Sequence, residues 1–274
     1  MRYHYIPAVM SFALLLSCKK EHSPQPVEQP DAPVKHILLK EITIPNLPSP
    51  YYHFEYNTDS LVTKASFDSG LTMYDILYSG NKISEMRNNI LVNHDTLRYV
   101  YNADKLVLIK FINDANVLYR HVFFTYEGNQ IKEIEWDHKE GNTGFLIDRT
   151  LSFTYYADGN VKTITERRPP IAGSPESLTI KTFEQYDDKI NVDDFSLIHD
   201  GIHDHLFLLE GFRLQKNNPK NEKLSVNGTD LYTVAFSYTY NTDNTPSHKA
   251  GDFVYLSGQY AGQRFQTNSF YSYY

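Results

Sequence analysis

"YVYNADKLVLIKF", residues 99–111, shows the pattern that repeats through this chain. Two tyrosines flank a single residue, a short turn rich in Asn and Asp follows, and aliphatic residues resume the chain. Two rings separated by one residue lie on the same face of a strand. Asn and Asp tolerate the positive φ angles that a tight hairpin turn requires. The stretch therefore predicts one β-hairpin.

The same phrase recurs along most of the chain, at a spacing that begins near 22 residues and lengthens later. Its last aromatic residue is, in order, Tyr56, Tyr78, Tyr101, Tyr126, Tyr155, Tyr186 and Tyr240. A regular period in this range is typical of repeat architectures. We therefore predict one mainly all-β domain over residues 37–274. Its expected form is an antiparallel meander of repeated β-hairpins that makes an extended or curved sheet.

The aliphatic residues after each turn do not follow simple strand alternation. They form pairs three residues apart: Ile83/Met86, Leu106/Ile109, Ile131/Ile134 and Val161/Ile164. In a regular strand such residues point to opposite faces. Either each return strand carries a β-bulge, or the sheet is covered on both faces; the pattern leaves both open.

The hairpin rhythm stops between Lys189 and Tyr232. Apolar residues near helical spacing within 193–212 predict a short helix around 195–210 that seals an end of the sheet. The same segment contains a cluster of three histidines, His199, His203 and His205. His199 and His203 have the i, i+4 spacing at which a helix can share a metal ion. Since no H-E-x-x-H motif is present, a solvated helix face is the favoured interpretation.

The N-terminus predicts export and lipid anchoring. Residues 1–17 have a basic start and an apolar core too short to span a bilayer, as in a signal peptide. They lead into "LLSC", residues 15–18, which is similar to a bacterial lipobox, and Cys18 is the only cysteine. Residues 18–36 read as a lipidated cysteine and a Pro-rich tether. We expect a protein anchored by lipid at the outer membrane, with the membrane as its first partner.

Three features together resemble uncharacterised lipoproteins of Bacteroidota that carry YD-repeat-like β-hairpins. They are the lipobox, the ordered repeats, and the later segments "QKNNP" (215–219) and "YTYNTDNTP" (238–246). The resemblance covers most of residues 50–246, although Ser79 and Glu127 replace the Asp that follows Tyr in YD repeats. It implies a β-rich envelope domain and no particular activity.

Composition and motifs narrow the function further. With 26 basic and 33 acidic residues the net charge is −7, and no basic patch points to nucleic acid. The chain has no nucleophile elbow, dinucleotide fingerprint or P-loop. Glu133 and Glu135 share a predicted strand face, but alternating exposed charges explain them better than glycosidic chemistry does. We predict no catalytic residue and no cofactor.

The predicted function is a non-catalytic binding or scaffold module whose partner is a polysaccharide or an envelope protein. One alternative is a glycan-capture lipoprotein of a polysaccharide-uptake system, with ligand stacking on Tyr56, Tyr78, Tyr101, Tyr126 and Tyr155. Another is a hydrolase that uses the His-rich insertion. Ser60 and Thr96 resemble acceptors of Bacteroidota protein O-glycosylation, since each follows Asp and precedes Leu.

Overall fold

A computed structural model describes residues 37–91, 93–141, 143–170, 173–197 and 213–274. These residues form sixteen antiparallel strands that close into a barrel, each strand beside its neighbours in sequence. The strands are β1 (Leu39–Thr43), β2 (Tyr52–Tyr56), β3 (Val62–Phe67), β4 (Thr72–Ser79), β5 (Lys82–Asn88), β6 (Thr96–Asn102), β7 (Lys105–Ile112), β8 (Leu118–Glu127), β9 (Gln130–Glu140), β10 (Gly144–Tyr155), β11 (Val161–Arg168), β12 (Ser177–Tyr186), β13 (Pro219–Val226), β14 (Thr229–Tyr240), β15 (Pro246–Tyr255) and β16 (Arg264–Tyr273). Two 3-10 turns, Asp68–Gly70 and Asp194–Leu197, are the helical elements of this part of the chain, and no helix in it has the length and hydropathy of a membrane span.

Closure of the barrel corrects the predicted extended or curved sheet. The first strand pairs with the last, with Leu39 opposite Tyr273 and Ile42 opposite Tyr271. An open meander leaves two strands with unpaired backbone groups at its edges. Pairing β1 with β16 satisfies those groups. The antiparallel hairpins are present, but the open sheet was the wrong prediction.

Bulges explain the aliphatic pairs spaced three residues apart. In the β6–β7 hairpin Val100 pairs with Leu108 and Tyr101 pairs with Leu106, so Val107 is an extra residue. The bulge brings Leu106 and Ile109 to the same inner face, where both are buried. The hairpins that end at Tyr78, Tyr126 and Tyr155 shift in the same way. Of the two alternatives that the sequence leaves open, the structure contains the bulge.

The repeat tyrosines join each hairpin to the one before it. The Tyr126 hydroxyl donates to the Leu106 carbonyl (2.9 Å), and the Tyr155 hydroxyl donates to the Ile131 carbonyl (2.8 Å). Further members of this ladder run from Tyr56 to Leu39, Tyr78 to Val62 and Tyr186 to Val161. Each acceptor lies at or near the start of an earlier strand. The ladder therefore encircles one end of the barrel.

The two ends of the barrel differ. The end with the tyrosine ladder also holds the start of β1 and the end of β16, where the Tyr274 amide donates to the Leu38 carbonyl (3.1 Å). We call it the terminal end. The opposite end, which we call the distal end, contains the turns β11–β12, β13–β14 and β15–β16.

Apolar side chains pack the interior on one side of the barrel. Trp136, Phe54 and Phe67 are fully buried members of a single core cluster. Porins with sixteen strands have an aqueous channel, because the wall is too wide for its own side chains to fill. Here the inner wall is apolar over most of β1–β11, which is the reverse of a polar porin lumen.

The insertion between β12 and β13 adds to this core. Asp187 and Asn218 pair through their backbones at its neck (3.0 Å). Phe195 is 2% exposed, and its ring lies 5.2 Å from that of Tyr52 and 6.0 Å from that of Phe54. The described part of the insertion therefore packs into the interior, and it does not seal a sheet edge as predicted. Of the helix predicted around 195–210, the described part is one 3-10 turn, and residues 198–210 lie outside the described ranges.

Asp193 ties the insertion to the wall, and Asp194 joins two parts of the insertion to each other. Asp193 Oδ2 accepts hydrogen bonds from the Tyr271 hydroxyl (2.6 Å) and from Lys249 Nζ (3.1 Å). Asp194 Oδ2 accepts the Leu214 amide proton (2.9 Å). Burial raises the pKa of Asp194 to about 6, and the charge of Arg213 offsets part of that effect. Asp194 is therefore a group whose ionisation opposes folding at neutral pH.

Replacing this aspartate with Asn should make the protein more stable at pH 7.5 but not at pH 4. Its ordinary pKa of 3.8 rises to about 6 on folding, so its favourable contribution is complete below pH 4 and is lost as the pH rises through 6. The shift corresponds to roughly 3 kcal/mol. Urea unfolding of wild type and Asp194→Asn at each pH measures the difference between their free energies of unfolding.

Asp158→Asn is the control for that experiment. A backbone hydrogen bond from Asn160 lowers the pKa of Asp158, so ionised Asp158 favours folding. Asp158→Asn should therefore be less stable than wild type at pH 7.5. A gap between Asp194→Asn and wild type that stays constant from pH 4 to pH 7.5 would contradict the assignment to Asp194.

Charged side chains recur across the outer face of the barrel. They lie opposite one another on neighbouring strands, so that they form rows across the wall. Two of the rows are Glu55–Lys64–Asp75–Arg87 and Glu85–Arg98–Lys110. Ion pairs link several neighbours, among them Arg98 with Glu85 at 3.1 Å.

Candidate functional site

A group of aromatic rings lines the inner face at the distal end. Tyr232 lies two residues before the buried Val234 and on the same face of β14, and Phe253 is the cross-strand partner of Val234. Phe265 is in turn the partner of Phe253. With Tyr255 and Tyr260, these residues form what we call the aromatic wall: Tyr232, Phe253, Tyr255, Tyr260 and Phe265.

Ring contacts run continuously through the aromatic wall. The centroid of Tyr232 lies 5.4 Å from Phe253 and 5.8 Å from Tyr255. Tyr255 in turn lies 5.6 Å from Tyr260 and 5.5 Å from Phe265. Two of these four pairs are tilted and two are edge-to-face, a favoured aromatic geometry.

The β15–β16 turn brings Tyr260 to the wall. Gly258 and Gly262 have φ angles of +78° and +81°, a region that side-chain-bearing residues rarely adopt. The Gly262 amide donates to the Tyr255 carbonyl (2.8 Å), and the Tyr255 amide donates to Gln263 (3.0 Å). These bonds fold the turn back over the end of β15.

The aromatic wall is open to solvent, in contrast to the core. Tyr260 is 45% exposed and Phe265 is 47% exposed, and the other three rings are half-buried. One carboxylate accompanies them: the Tyr232 hydroxyl donates to Glu222 Oε1 at 3.2 Å. Burial, followed by the charge of Glu222, raises the pKa of Tyr232 above its usual range, so the phenol stays protonated. Apolar rings with a few polar groups are the usual lining of a small-molecule site.

The five tyrosines proposed from the sequence for ligand stacking occupy a different place. Each is half-buried and packs against the core at the terminal end: Tyr56, Tyr78, Tyr101, Tyr126 and Tyr155. Four of them donate their hydroxyl protons to the backbone carbonyls of the ladder. In this arrangement the rings tie neighbouring hairpins together.

Other sequence candidates lie apart from the aromatic wall. Glu133 and Glu135 share the outer face of β9, and burial together with Glu133 raises the pKa of Glu135. Ser60 is half-buried in the β2–β3 turn with a φ of +63°, and Thr96 is the first residue of β6. Both stay predictions as glycan acceptors.

The predicted lipid anchor and metal ligands lie outside the described ranges. They are Cys18, His199, His203 and His205, together with the signal peptide and tether. Across the described residues, no group of three or more His, Cys, Asp or Glu side chains is placed to hold a metal ion.

Sequence reasoning missed the aromatic wall because its members come from three strands and a turn. A local signal existed in β14, "TDLYTVAFSYTY", where apolar and aromatic residues alternate from Tyr232 to Tyr240. The hairpin prediction depends only on the final Tyr-x-Tyr of this strand, which lies at the terminal end. The earlier aromatic residues of β14 extend the same inner face toward the distal end.

Comparison with known proteins supports the fold alone. No family model matches the chain, and no curated protein matches it. Among solved structures, a porin-like protein from Bacteroides vulgatus ATCC 8482 is 16% identical with a TM-score of 0.60, over 86% of this chain and 99% of that one. A porin-like protein from Bacteroides uniformis ATCC 8492 is 13% identical with a TM-score of 0.59, over 87% and 95% of the two chains. The chain therefore has the fold of a porin-like β-barrel.

Proposed function

We propose that this protein is a non-catalytic glycan-binding module of the bacterial envelope. The aromatic wall carries the proposal, because its partly exposed rings stand beside a carboxylate that can accept hydrogen bonds from sugar hydroxyls. Sugar rings present apolar faces between polar edges, and Tyr and Phe supply large contact areas at low entropic cost. This is the glycan-capture alternative, moved from the repeat tyrosines to the distal end.

The outer face supports a barrel that stands in water. A membrane-spanning barrel needs an apolar outer band about 25 Å tall. The charged rows cross the middle of the strands, and a charge at the bilayer midplane costs about 2 to 4 kcal/mol. The apolar interior of β1–β11 likewise does not provide a polar channel. We therefore propose a binding function and not a pore.

Calorimetric titration of the full-length protein with hexasaccharides tests the proposal. The panel contains neutral probes (cellohexaose, maltohexaose and galactohexaose) and acidic ones. We expect binding of at least one probe, and Phe265→Ala should weaken it at least tenfold, since losing an aromatic anchor at an interface costs more than about 1.4 kcal/mol.

Phe270→Ala is the matched control, because Phe270 lies on the outer face of the same strand and is 46% exposed. It should leave affinity unchanged. Failure of every probe to bind, or equal losses in both variants, would overturn the glycan proposal. A protein captured from the envelope without glycan binding would favour the scaffold role.

A further inference from the structure

We infer that the glycan is acidic, and that a group of inner-face arginines, exposed toward the distal end, binds its carboxylate or sulfate groups. The inference rests on the proposed function and adds the class of ligand. The residues are Arg120, Arg149 and Arg168, which we call the arginine cluster. They belong to β8, β10 and β11, on a part of the wall away from the aromatic wall.

Strand register places all three arginines on the inner face. Arg120 is the partner of the buried Phe111, and Arg149 is the partner of the fully buried Trp136. Arg168 lies two residues after Glu166, whose partner is the buried Leu151. Arg120 is the third residue of β8 and Arg168 is the last residue of β11, both near the distal end, whereas Arg149 lies midway along β10. Arg120, Arg168 and the aromatic wall therefore face the interior at the same end.

Two carboxylates contact these three guanidinium groups. Glu166 Oε1 lies 3.2 Å from Arg149 Nε and accepts a hydrogen bond from Arg168 Nε at 2.5 Å. Asp148 Oδ2 accepts a hydrogen bond from Arg120 (3.2 Å), while its other oxygen contacts His138. One carboxylate oxygen is thus shared between two arginines. The Asp148 carboxylate likewise bridges Arg120 and His138, through its two oxygens.

Packing orients the cluster. The Arg149 guanidinium lies over the Trp136 ring, 4.8 Å from its centroid, which is a favourable cation–π geometry. The exposed fraction of the side chain rises from 7% in Arg149 to 20% in Arg120 and 53% in Arg168. Arg168 is therefore the member that an incoming ligand reaches first.

Guanidinium groups suit the acidic groups of sugars. Their planar fork matches carboxylate and sulfate oxygens, and they stay charged at every physiological pH. Aromatic rings alone would accept any sugar with an apolar face. Arginines at the same end would add selectivity for chains that carry a negative group.

Titration of the full-length protein with paired probes tests this inference. Hexagalacturonate is compared with its fully methyl-esterified form, and a chondroitin sulfate hexasaccharide with the desulfated one. We expect at least one acidic probe to bind tenfold or more tightly than its partner, with affinity that falls as NaCl rises. The first pair tests carboxylate, and the second tests sulfate.

Arg168→Ala should weaken binding of the acidic probe at least tenfold and leave a neutral probe unaffected. Glu166 keeps Arg149 as a neighbour in this variant, and a melting curve checks that it folds. Arg167→Ala is the control, because Arg167 is the next residue, points outward and pairs with Glu176 at 2.6 Å. Arg167→Ala should change neither the affinity for the acidic probe nor the affinity for the neutral probe.

The outcomes separate the two proposals. Equal or tighter binding of the neutral partner, or acidic binding that Arg168→Ala leaves intact, overturns the acidic class and leaves glycan binding standing. Failure of both acidic and neutral probes overturns glycan binding itself. If Arg167→Ala weakens binding of the acidic probe as much as Arg168→Ala does, the inner face does not bind the acidic group.

Discussion

Truncating Phe195 to Ala should lower the free energy of unfolding by about 3 to 5 kcal/mol. The ring is 2% exposed and packs edge-on against Tyr52 and Phe54. A sixteen-stranded wall is wide, so its own side chains cannot close on the cavity that the truncation leaves. Urea unfolding followed by circular dichroism measures the loss, and the melting temperature should fall by roughly 10 °C.

Phe123→Ala provides the comparison, because Phe123 is 37% exposed and lies on the outer face of β8. The same change of side chain there should cost less than about 1 kcal/mol. If the two variants lose similar stability, or if Phe195→Ala loses less than about 1 kcal/mol, the insertion does not belong to the core.

Replacing Asp193 with Ala should cost about 3 to 5 kcal/mol. Its carboxylate accepts hydrogen bonds from both Lys249 and Tyr271. Removing it leaves a mostly buried ammonium group, 5.0 Å from the Phe236 ring, without its counter-ion. An uncompensated interior charge is expensive because water no longer solvates it. Chemical denaturation at pH 7 and constant salt measures the effect.

The double variant Asp193→Ala/Lys249→Met separates loss of charge balance from loss of shape. Replacing both partners with apolar side chains should recover more than half of the lost stability. Glu127→Ala is the surface control, since Glu127 and Lys132 are both exposed and 3.7 Å apart; it should change stability by less than about 0.5 kcal/mol. A double variant no more stable than Asp193→Ala would mean that the carboxylate acts mainly through Tyr271.

The Phe195→Ala and Asp193→Ala variants both test which side chains fill the interior of this porin-like barrel. The aliphatic and aromatic inner faces of β1–β11 supply most of the core on one side. Toward β14–β16 the inner face turns to half-exposed rings and polar groups, so core and candidate site share one barrel. The insertion, tied to β15 and β16 by Asp193, adds buried side chains between these two regions.

Local pattern was enough to predict the hairpins. An aromatic-x-Tyr, a positive-φ turn and an aliphatic pair define each hairpin within about a dozen residues, while the i, i+3 spacing left the bulge as one of two alternatives. In the β6–β7 turn, however, the positive φ of +52° falls on Ala103 and not on an Asn or Asp, so the pattern predicted the turn but not the residue that carries it. Such features depend on residues that are close together in sequence, so they can be predicted before the tertiary structure is known.

The open sheet failed as a prediction because closure depends on residues far apart in sequence. Leu39 pairs with Tyr273, although more than 200 residues separate them in sequence. The periodicity within one hairpin does not specify how many strands are needed to close the barrel. The aromatic wall and the arginine cluster have the same origin: each gathers side chains from separate strands onto one inner face. The sequence by itself determined the repeating hairpin and its turn, because backbone sterics and alternation act locally. The tertiary structure decided that each return strand carries a bulge, that the meander closes, that the described part of the insertion lies inside it, and which side chains share the inner face at the distal end, because strand pairing sets all four.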